Sequence, residues 1–305
     1  MDILITGGTG MVGSALKRLV PKAVYISSQD FDLRDRAAAN EMFSIYRPEH
    51  IIHLAAKVGG VKANMEQLGA FYLDNIMINT NVLDAAKNHN TKKVVSLLST
   101  CVYPDHVVYP LTEDQIHNGP PHQSNFAYAY AKRMLDVQSR AYRKEYGCNF
   151  ITAVPNNLFG EADNYDLENS HVIPAIIRKM YESKIAGNDV ELWGDGSPLR
   201  EFTYSLDVAK ALLLLLDGYN DEGPINIGDT QEISIRSLAE KIAEKVGFAG
   251  DIIWQTSQPS GQYRKPSDNS KFRGRFNLEY TDLDIALTNA CDWFIMNYPN
   301  VRGVK

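Results

Sequence analysis

Near its N-terminus the sequence reads Ile3-Leu4-Ile5-Thr6-Gly7-Gly8-Thr9-Gly10-Met11-Val12-Gly13, an apolar strand pattern that runs directly into a glycine-rich turn. A helix is predicted to open at Ser14, so the turn would aim backbone amides and a helix N-terminus at a phosphate group. Gly7, Gly10 and Gly13 would permit the tight turn, the close approach of the phosphate and close helix packing. The stretch therefore predicts a dinucleotide site over residues 7–13. An ordinary glycine turn between a strand and a helix is the alternative.

Short apolar or β-branched runs recur further along the chain, at residues 23–27, 50–54, 94–99 and 150–154. The segments between them show helical periodicity, with Ile76, Asn79, Leu83 and Ala86 on one stripe of residues 75–88. A second stripe, of Met134, Val137 and Ala141, marks residues 128–146. Alternating strands and helices predict an α/β fold, a Rossmann-type doubly wound parallel sheet.

The composition excludes several classes of protein. The 305-residue chain has 44% hydrophobic residues and a formal net charge of -6. This acidic balance does not indicate binding to nucleic acid or to an anionic membrane surface. The longest aliphatic run, residues 211–216, is far shorter than the ~20 residues of a membrane-spanning helix. No secretory signal is visible, and three widely spaced cysteines fit neither a disulfide framework nor a zinc site. We expect a cytoplasmic protein with free thiols and no metal.

The character of the sequence changes after Gly160, where a polar stretch, residues 161–170, precedes a helical pattern at 172–183. Further strands are predicted at 200–204 and 225–227, and a Ser-capped helix at 234–246. We place the domain boundary at this change. Residues 1–160, with a contribution from about 203–230, form the predicted cofactor domain. Residues 161–305 form a smaller α/β C-terminal substrate domain.

The end of the second predicted strand indicates which cofactor binds. It reads Ser27-Ser28-Gln29, where NAD enzymes commonly carry an acidic residue for the ribose hydroxyls. The absence of that carboxylate favours NADP(H). No Arg lies in the glycine turn or directly after this strand to bind the extra phosphate. Asp32 could border the adenine, with a plain loop aspartate as the alternative.

Three residues indicate carbonyl chemistry. Ser99 ends the fourth predicted strand, and Tyr128 and Lys132 lie four residues apart on the following helix. A nearby ammonium would lower the pKa of the phenol, and the serine hydroxyl would hold a reacting carbonyl oxygen. A chance pair of an aromatic residue above a solvated lysine is the alternative. Tyr130 competes with Tyr128 but would face elsewhere on the helix.

Five segments together resemble the extended short-chain dehydrogenase/reductases and, within them, the GDP-L-fucose synthases. The resemblance runs nearly end to end. It implies that GDP-4-keto-6-deoxy-D-mannose is epimerised at two ring carbons and reduced by NADPH to GDP-L-fucose. The glycine turn and the Tyr/Lys pair specify only the superfamily, whereas the Ser-Thr-Cys and Ser-His-Val-Ile-Pro motifs are more specific. The five segments are residues 53–60, 99–104, 116–121, 128–132 and 169–174.

The resemblance also implies residue roles. Cys101 and His171 would be the proton-transfer pair, Ser99 and Tyr128 would hold the keto oxygen, and Lys132 would bind the nicotinamide ribose. Without the resemblance, a small buried Cys101 and a backbone-bonded His171 are the plainer interpretations. Beyond residues 7–13 and Asp32, the cofactor contacts implied are Leu54, Ala55, Ala56, Lys132, Pro155, Asn156, Leu158 and His171.

The GDP-sugar site is implied in the same way. Trp193 would cover a ring, and Arg200 and Lys265, the latter in the segment 261–265, would bind the pyrophosphate; Asn157 and Lys179 are further candidates. Any of these cations could instead be a solvated surface charge. The resemblance suggests a homodimer through the helices that begin near Asn75 and Tyr128. The rival functions are another nucleotide-sugar 4-epimerase or dehydratase of the superfamily, and a non-catalytic NADP-binding sensor.

Overall fold

The structure, a computed structural model, describes residues 2–258 and 263–304. Its strands are β1 (Ile3–Thr6), β2 (Val24–Ile26), β3 (His50–His53), β4 (Lys93–Leu97), β5 (Phe150–Pro155), β6 (Asn157–Phe159), β7 (Val190–Trp193), β8 (Leu199–Tyr204), β9 (Ile225–Ile227), β10 (Glu232–Ser234) and β11 (Ile252–Gln255). Its α-helices are α1 (Met11–Leu19), α2 (Arg36–Tyr46), α3 (Val61–Glu66), α4 (Leu68–Asn88), α5 (Phe126–Tyr146), α6 (Val172–Ala186), α7 (Ser205–Gly218), α8 (Ile235–Val246), α9 (Ser270–Arg273) and α10 (Leu283–Asn297).

Six parallel strands form the central sheet in the order β2-β1-β3-β4-β5-β9. Successive strand residues face opposite sides of a sheet, so each strand serves two cores. Leu4 packs in the core with Met42 and Leu83 of α2 and α4, whereas Ile5 packs with Leu16 and Leu212 of α1 and α7. Helices thus cover both faces, which confirms the predicted α/β, Rossmann-type doubly wound sheet.

The chain after Gly160 builds a separate core. Two small sheets, β10-β8-β6 and β11-β7, pack with α6, α8 and α10 around side chains such as Ile176, Leu238 and Phe294. Strand β9 and helix α7 instead pack with the central sheet. We therefore propose the division into residues 1–160 with about 203–230, and the remaining part of 161–305.

Two helix predictions need correction. Helix α1 begins at Met11 rather than at Ser14, because the glycine turn closes earlier, with the Gly10 amide donating to the Gly7 carbonyl at 3.0 Å. The stripe of Met134, Val137 and Ala141 on α5 is exposed rather than core-facing, since the opposite face, with Leu135, packs against the sheet. The cap predicted for α8 is confirmed, because the Ser234 hydroxyl accepts from the Ser237 amide at 3.0 Å.

Candidate active site

A cleft of about 1120 Å³ opens at the carboxyl ends of the central strands. It is lined by the glycine turn after β1, residues 54–59 after β3, residues 97–100 around the end of β4, residues 155–158 after β5, and residues 169–173. Loops at this edge of a doubly wound sheet form the usual ligand crevice. The fold therefore brings together segments that are far apart in the sequence.

The glycine turn needs its glycines for specific steric reasons. Gly7 has a φ of +69°, and a Cβ there would lie 2.8 Å from the Ala55 nitrogen. A Cβ on Gly13 would lie 2.5 Å from the Gly8 carbonyl oxygen. Gly8 itself does not line the cleft, because it packs against Tyr25 of β2. The other predicted turn residues do line it: Gly7, Thr9, Gly10, Met11, Val12 and Gly13.

The remaining predicted cofactor residues all line the same cleft. They form a continuous wall because the loops after β3 and β5 both run along it. The Thr6 hydroxyl supports the first of these loops by accepting from the Ala55 amide at 3.3 Å. The residues are Asp32, Leu54, Ala55, Ala56, Lys132, Pro155, Asn156, Leu158 and His171.

Two cations that the sequence did not indicate lie near Asp32. Arg34 lines the cleft, but its guanidinium is bound to Asp32 at 2.7 Å and reaches Asp74 at 3.5 Å. Lys57 lines the cleft as well and pairs with Asp74 at 3.2 Å. Ser28, at the end of β2, also lines the cleft. Both cations are already engaged by carboxylates, so neither stands free beside Ser28.

Tyr128 and Lys132 line the cleft, but their electrostatics differ from the prediction. Burial raises the pKa of the Tyr128 phenol well above its usual value, and the nearby Cys101 thiol contributes in the same direction. The Lys132 ammonium is 5.9 Å from the Tyr128 ring centroid and donates instead to the Leu97 carbonyl at 2.8 Å. Burial lowers the pKa of Lys132 to about 8. The expected lowering of the phenol pKa is therefore wrong for this structure, because desolvation outweighs the effect of the ammonium.

The next helical residue secures the same segment at its other end. Arg133, which is buried, donates from Nε to the Val102 carbonyl at 2.6 Å and from Nη1 to the Gly119 carbonyl at 2.7 Å. Together with the Lys132 bond, these contacts hold both ends of residues 97–102, which carry the predicted catalytic serine and cysteine. We call this arrangement the Lys-Arg clamp.

Cys101 lies in the short 3-10 helix Thr100–Val102, directly behind the cleft wall. Its thiol is buried, and burial raises the pKa of that thiol. The Ser99 hydroxyl, which caps this helix, opposes the rise, and so do the positive charges of Lys265, Lys132 and Arg133. Cys101 is therefore a protonated thiol in close electrostatic contact with the Tyr128/Lys132 pair.

His171 reaches the cleft from the other side of the molecule. It is the residue immediately before α6, and its side chain makes no capping hydrogen bond. His171 is an exposed residue that lines the cleft, while desolvation by the surrounding protein lowers the pKa of its imidazole. The imidazole is therefore neutral near pH 7 and can accept a proton.

A second, smaller pocket of about 220 Å³ adjoins the cleft. Trp193, Arg200 and Asn157 line it, and Asn157 lines the large cleft as well. Lys265 lies near Cys101 and Arg200, as their mutual electrostatic effects show, whereas Gly261 and Gln262 of the same motif lie outside the described residues. Lys179 lines neither pocket, because its ammonium donates to the Glu191 carbonyl at 3.0 Å.

Comparison with known proteins gives a consistent result. The NAD dependent epimerase/dehydratase family matches residues 3–228. A GDP-L-fucose synthase of Dictyostelium discoideum is 43% identical, covering 98% of this chain and 97% of its own length. The chain belongs to the GDP-L-fucose synthase family. The crystal structure of a GDP-L-fucose synthetase from Naegleria fowleri bound to NADP is 42% identical, with a TM-score of 0.94, and the match covers 99% of this chain and 95% of that one.

A more distant solved structure is also informative. A GDP-6-OMe-4-keto-L-xylo-heptose reductase from Campylobacter jejuni is 28% identical with a TM-score of 0.90, and the match covers 97% of this chain and 98% of that one. The present protein is an NADP-dependent oxidoreductase and epimerase by family. Its cofactor is NADP(H), and the cleft fits that group, since the glycine turn and the N-terminus of α1 at Met11 both line it. None of the described helices is long and apolar enough to cross a bilayer.

Several cleft residues had no signal in the sequence. Asp163 and Asn164 come from the polar stretch that looked like a domain boundary, and Arg302 comes from the C-terminal segment. Their residue types are ordinary for loops, and only the folded chain brings them to the cleft. A run of polar residues directly before the His171 motif was the one available hint.

Proposed function

We propose that this enzyme catalyses the 3,5-epimerisation and the NADPH-dependent 4-reduction of GDP-4-keto-6-deoxy-D-mannose, forming GDP-L-fucose. The observation that carries the proposal is the pairing of two kinds of group at one cleft, where Ser99, Tyr128 and His171 line the wall and Cys101 lies directly behind it. Ser99 and Tyr128 are hydroxyl donors for a ketone oxygen, while Cys101 and His171 are a thiol and an imidazole suited to proton transfer. A reductase alone needs only the first kind.

The hydroxyl donors serve both reactions. Tyr128 is protonated at neutral pH because burial raises its pKa, so its O–H can donate to the ketone oxygen and transfer a proton when the oxygen becomes an alkoxide. Ser99 donates a second hydrogen bond to the same oxygen. NADPH, when bound, supplies the hydride to C4. Lys132, whose ammonium is held at the Leu97 carbonyl, would contact the nicotinamide ribose.

The proton-transfer pair acts on the carbons beside the ketone. Protons at C3 and C5 are removable because the resulting enolate is stabilised by donors at its oxygen. Inversion requires that a proton leave from one face and return on the other. A neutral imidazole and a protonated thiol supply one acceptor and one donor. Each inversion leaves an imidazolium and a thiolate, so a proton must pass from the imidazolium to the thiolate, directly or by exchange with water, before the next inversion.

The nucleotide end of the substrate would occupy the smaller pocket. Arg200 is held in place by the Leu199 carbonyl at 2.7 Å, which leaves its other guanidinium nitrogens for phosphate oxygens. Lys265 is a second cation on this side, and the exposed Trp193 offers an indole face to a base or sugar ring. Asn157 lies where the two pockets meet and would contact the sugar.

Incubation with NADPH and GDP-4-keto-6-deoxymannose, followed by NMR of the product, tests the reaction. A fucose-configured product is expected. Reduction without epimerisation would identify a 4-reductase. Two further substrates test the other enzymes: a dehydratase would remove water from GDP-mannose to give a 4-keto-6-deoxy sugar, and a 4-epimerase would invert the hydroxyl-bearing C4 of a GDP-hexose. Binding of NADPH with no turnover would indicate a sensor protein.

Deuterated water separates the epimerisation from the reduction. With NADPH omitted, the wild type is expected to incorporate deuterium at both carbons beside the ketone. Cys101→Ser should suppress that exchange strongly, because a hydroxyl is far less acidic than a thiol, and His171→Asn should impair it. Wild-type exchange in both variants would show that the two residues are structural.

We also propose that the enzyme is a homodimer in the cytoplasm. Helix α5 presents an exposed apolar stripe of Phe126, Tyr130, Met134 and Val137, spaced at helical intervals. Tyr72 and Leu73 of the neighbouring α4 are exposed as well. An apolar face shared by two packed helices matches the self-complementary patch that a two-fold interface needs. Light scattering is expected to give twice the chain mass, and Val137→Glu should reduce it.

A further inference from the structure

Residues 161–171, which we call the cleft strap, join the two loops on either side of the large cleft. At one end, the Glu161 carboxylate accepts from Arg18 of α1 at 2.7 Å. At the other end, the Asn169 carbonyl accepts from the Gly60 amide, beyond β3, at 3.0 Å. Strap residues, among them Asp163, Asn164 and Asn169, line the same cleft as the glycine turn.

The C-terminal segment brings one cation to the strap. The Arg302 carbonyl accepts from the Tyr165 amide at 2.9 Å, and the Gly303 carbonyl accepts from Arg178 Nη1 at 2.9 Å. The backbone around Arg302 is therefore fixed on both sides. Its side chain is exposed and lines the large cleft.

The guanidinium of Arg302 differs from the other cations of the cleft wall. Within residues 2–258 and 263–304 it makes no hydrogen bond or ion pair. The other three cations that line the cleft are already engaged: Lys57 with Asp74, Lys132 with the Leu97 carbonyl, and Arg34 with Asp32. Arg302 is thus the cation there with its charge and donors available to a ligand.

The carboxyl group of Asp163, near Arg302, also has hydrogen-bonding capacity that no described residue uses. Asp163 is 6% exposed, and its Oδ1 accepts from the Asn164 amide at 2.7 Å. Its Oδ2 is buried with no hydrogen-bond partner in the part of the chain that the structure describes, and the same holds for the Ser170 hydroxyl. Burial raises the pKa of Asp163 to about 7, although the positive charge of Arg302 opposes the rise. Near neutral pH the group is therefore partly protonated and does not fully neutralise Arg302.

We propose that Arg302 is a cofactor-binding residue that contacts the diphosphate of NADP(H) from the side opposite the glycine turn. The turn offers only backbone amides and a helix N-terminus to two phosphate charges, and an arginine fork supplies bidentate donors and a full charge. We assign the other anionic groups to other sites, because Ser28, after β2, lines the cleft beside the expected 2'-phosphate position and Arg200 lies in the smaller pocket.

Titration of NADPH into the Arg302→Gln variant, followed by nicotinamide fluorescence, tests the assignment without turnover. We expect the Kd to rise about tenfold or more, because a hydrogen bond to a charged group is lost, and Arg302→Lys to recover part of it. Displacement by adenosine 2'-monophosphate, which lacks the diphosphate, should occur with unchanged affinity. Arg275→Gln is the matched control, because it removes the same charge from a surface arginine paired with Asp221 outside the cleft.

Three results would overturn the proposal. An unchanged Kd for NADPH would show that Arg302 does not bind the cofactor. A weakened affinity for GDP with normal NADPH binding would assign the residue to the sugar nucleotide. An equal loss of NADPH and adenosine 2'-monophosphate, together with a lower melting temperature of the free protein, would make Arg302 a structural residue that anchors the strap.

Discussion

On one side of the cleft, side chains of α5 hold backbone carbonyls of residues 97–102, whereas on the other side the cleft strap carries a buried carboxyl with one oxygen unpaired in the described part of the chain. The clamp itself leaves Arg133 Nη2 without a partner among the described residues. Lys132 and Arg133 bind the Leu97 and Val102 carbonyls. Across the cleft, Asp163 Oδ2 has no partner among the described residues. The hydrogen bonds that fix residues 97–102 form without any ligand, so we call this side the preformed side. Catalysis by positioned donors requires such a fixed arrangement.

The largest expected effect is on the preformed side. Tyr128→Phe removes one hydroxyl and leaves the Lys-Arg clamp intact, so NADPH should bind normally while the reduction slows about a hundredfold or more. Single-turnover oxidation of NADPH at saturating substrate measures the loss. Lys132→Met should weaken NADPH binding as well, because its ammonium is proposed to contact the ribose. Near-normal turnover of Tyr128→Phe would remove the tyrosine from the mechanism.

A smaller effect is expected from the clamp itself. Arg133→Met removes the hydrogen bonds to the Val102 and Gly119 carbonyls and should lower kcat about tenfold with little change in the Kd for NADPH, because the catalytic serine and cysteine lose their fixed position. Arg133→Lys should restore part of the rate.

Arg140→Met is the control on the same helix, since Arg140 binds Asp136 away from the cleft. Deuterium exchange at the substrate should fall in parallel with the reduction, because the 97–102 segment serves both. A loss of stability with normal kcat would mean that Arg133 supports the fold and not the site.

The sequence predicted the preformed side well and the strap side poorly, for a physical reason. Ser99 follows an apolar strand, and the four-residue spacing of Tyr128 and Lys132 places both on one face of α5. The glycine turn could be predicted equally well, because close backbone contacts leave no room for a side chain at Gly7 and Gly13. Local chemistry dictates these positions.

Arg302 and Asp163 carry no such local signal. Their roles depend on a contact between the C-terminal segment and a loop far earlier in the chain, made through the Tyr165 amide and the Arg302 carbonyl. The spacing of apolar residues along the sequence gives no indication of such a contact. The predicted lowering of the Tyr128 pKa was wrong for a related reason. The burial that raises this pKa depends on the packing of the whole domain.

The smallest expected effect concerns the pH dependence of stability on the strap side. Burial raises the pKa of Asp163 to about 7, and an unfolded aspartate titrates near 3.9. Between these values the folded state binds more protons than the unfolded state, so the contribution of Asp163 to stability falls as pH rises from about 4 to 7 and stays low above that. Asp163→Asn cannot ionise, so relative to the wild type its melting temperature should gain a few degrees between pH 5 and pH 8. Differential scanning fluorimetry of the ligand-free protein across that range measures the change, with Asp221→Asn, an exposed partner of Arg275, as the control. If the melting temperatures of wild type and Asp163→Asn change with pH in the same way, the Asp163 carboxylate is ionised throughout that range. Neighbouring groups of the strap would then stabilise its charge, as protein groups do on the preformed side.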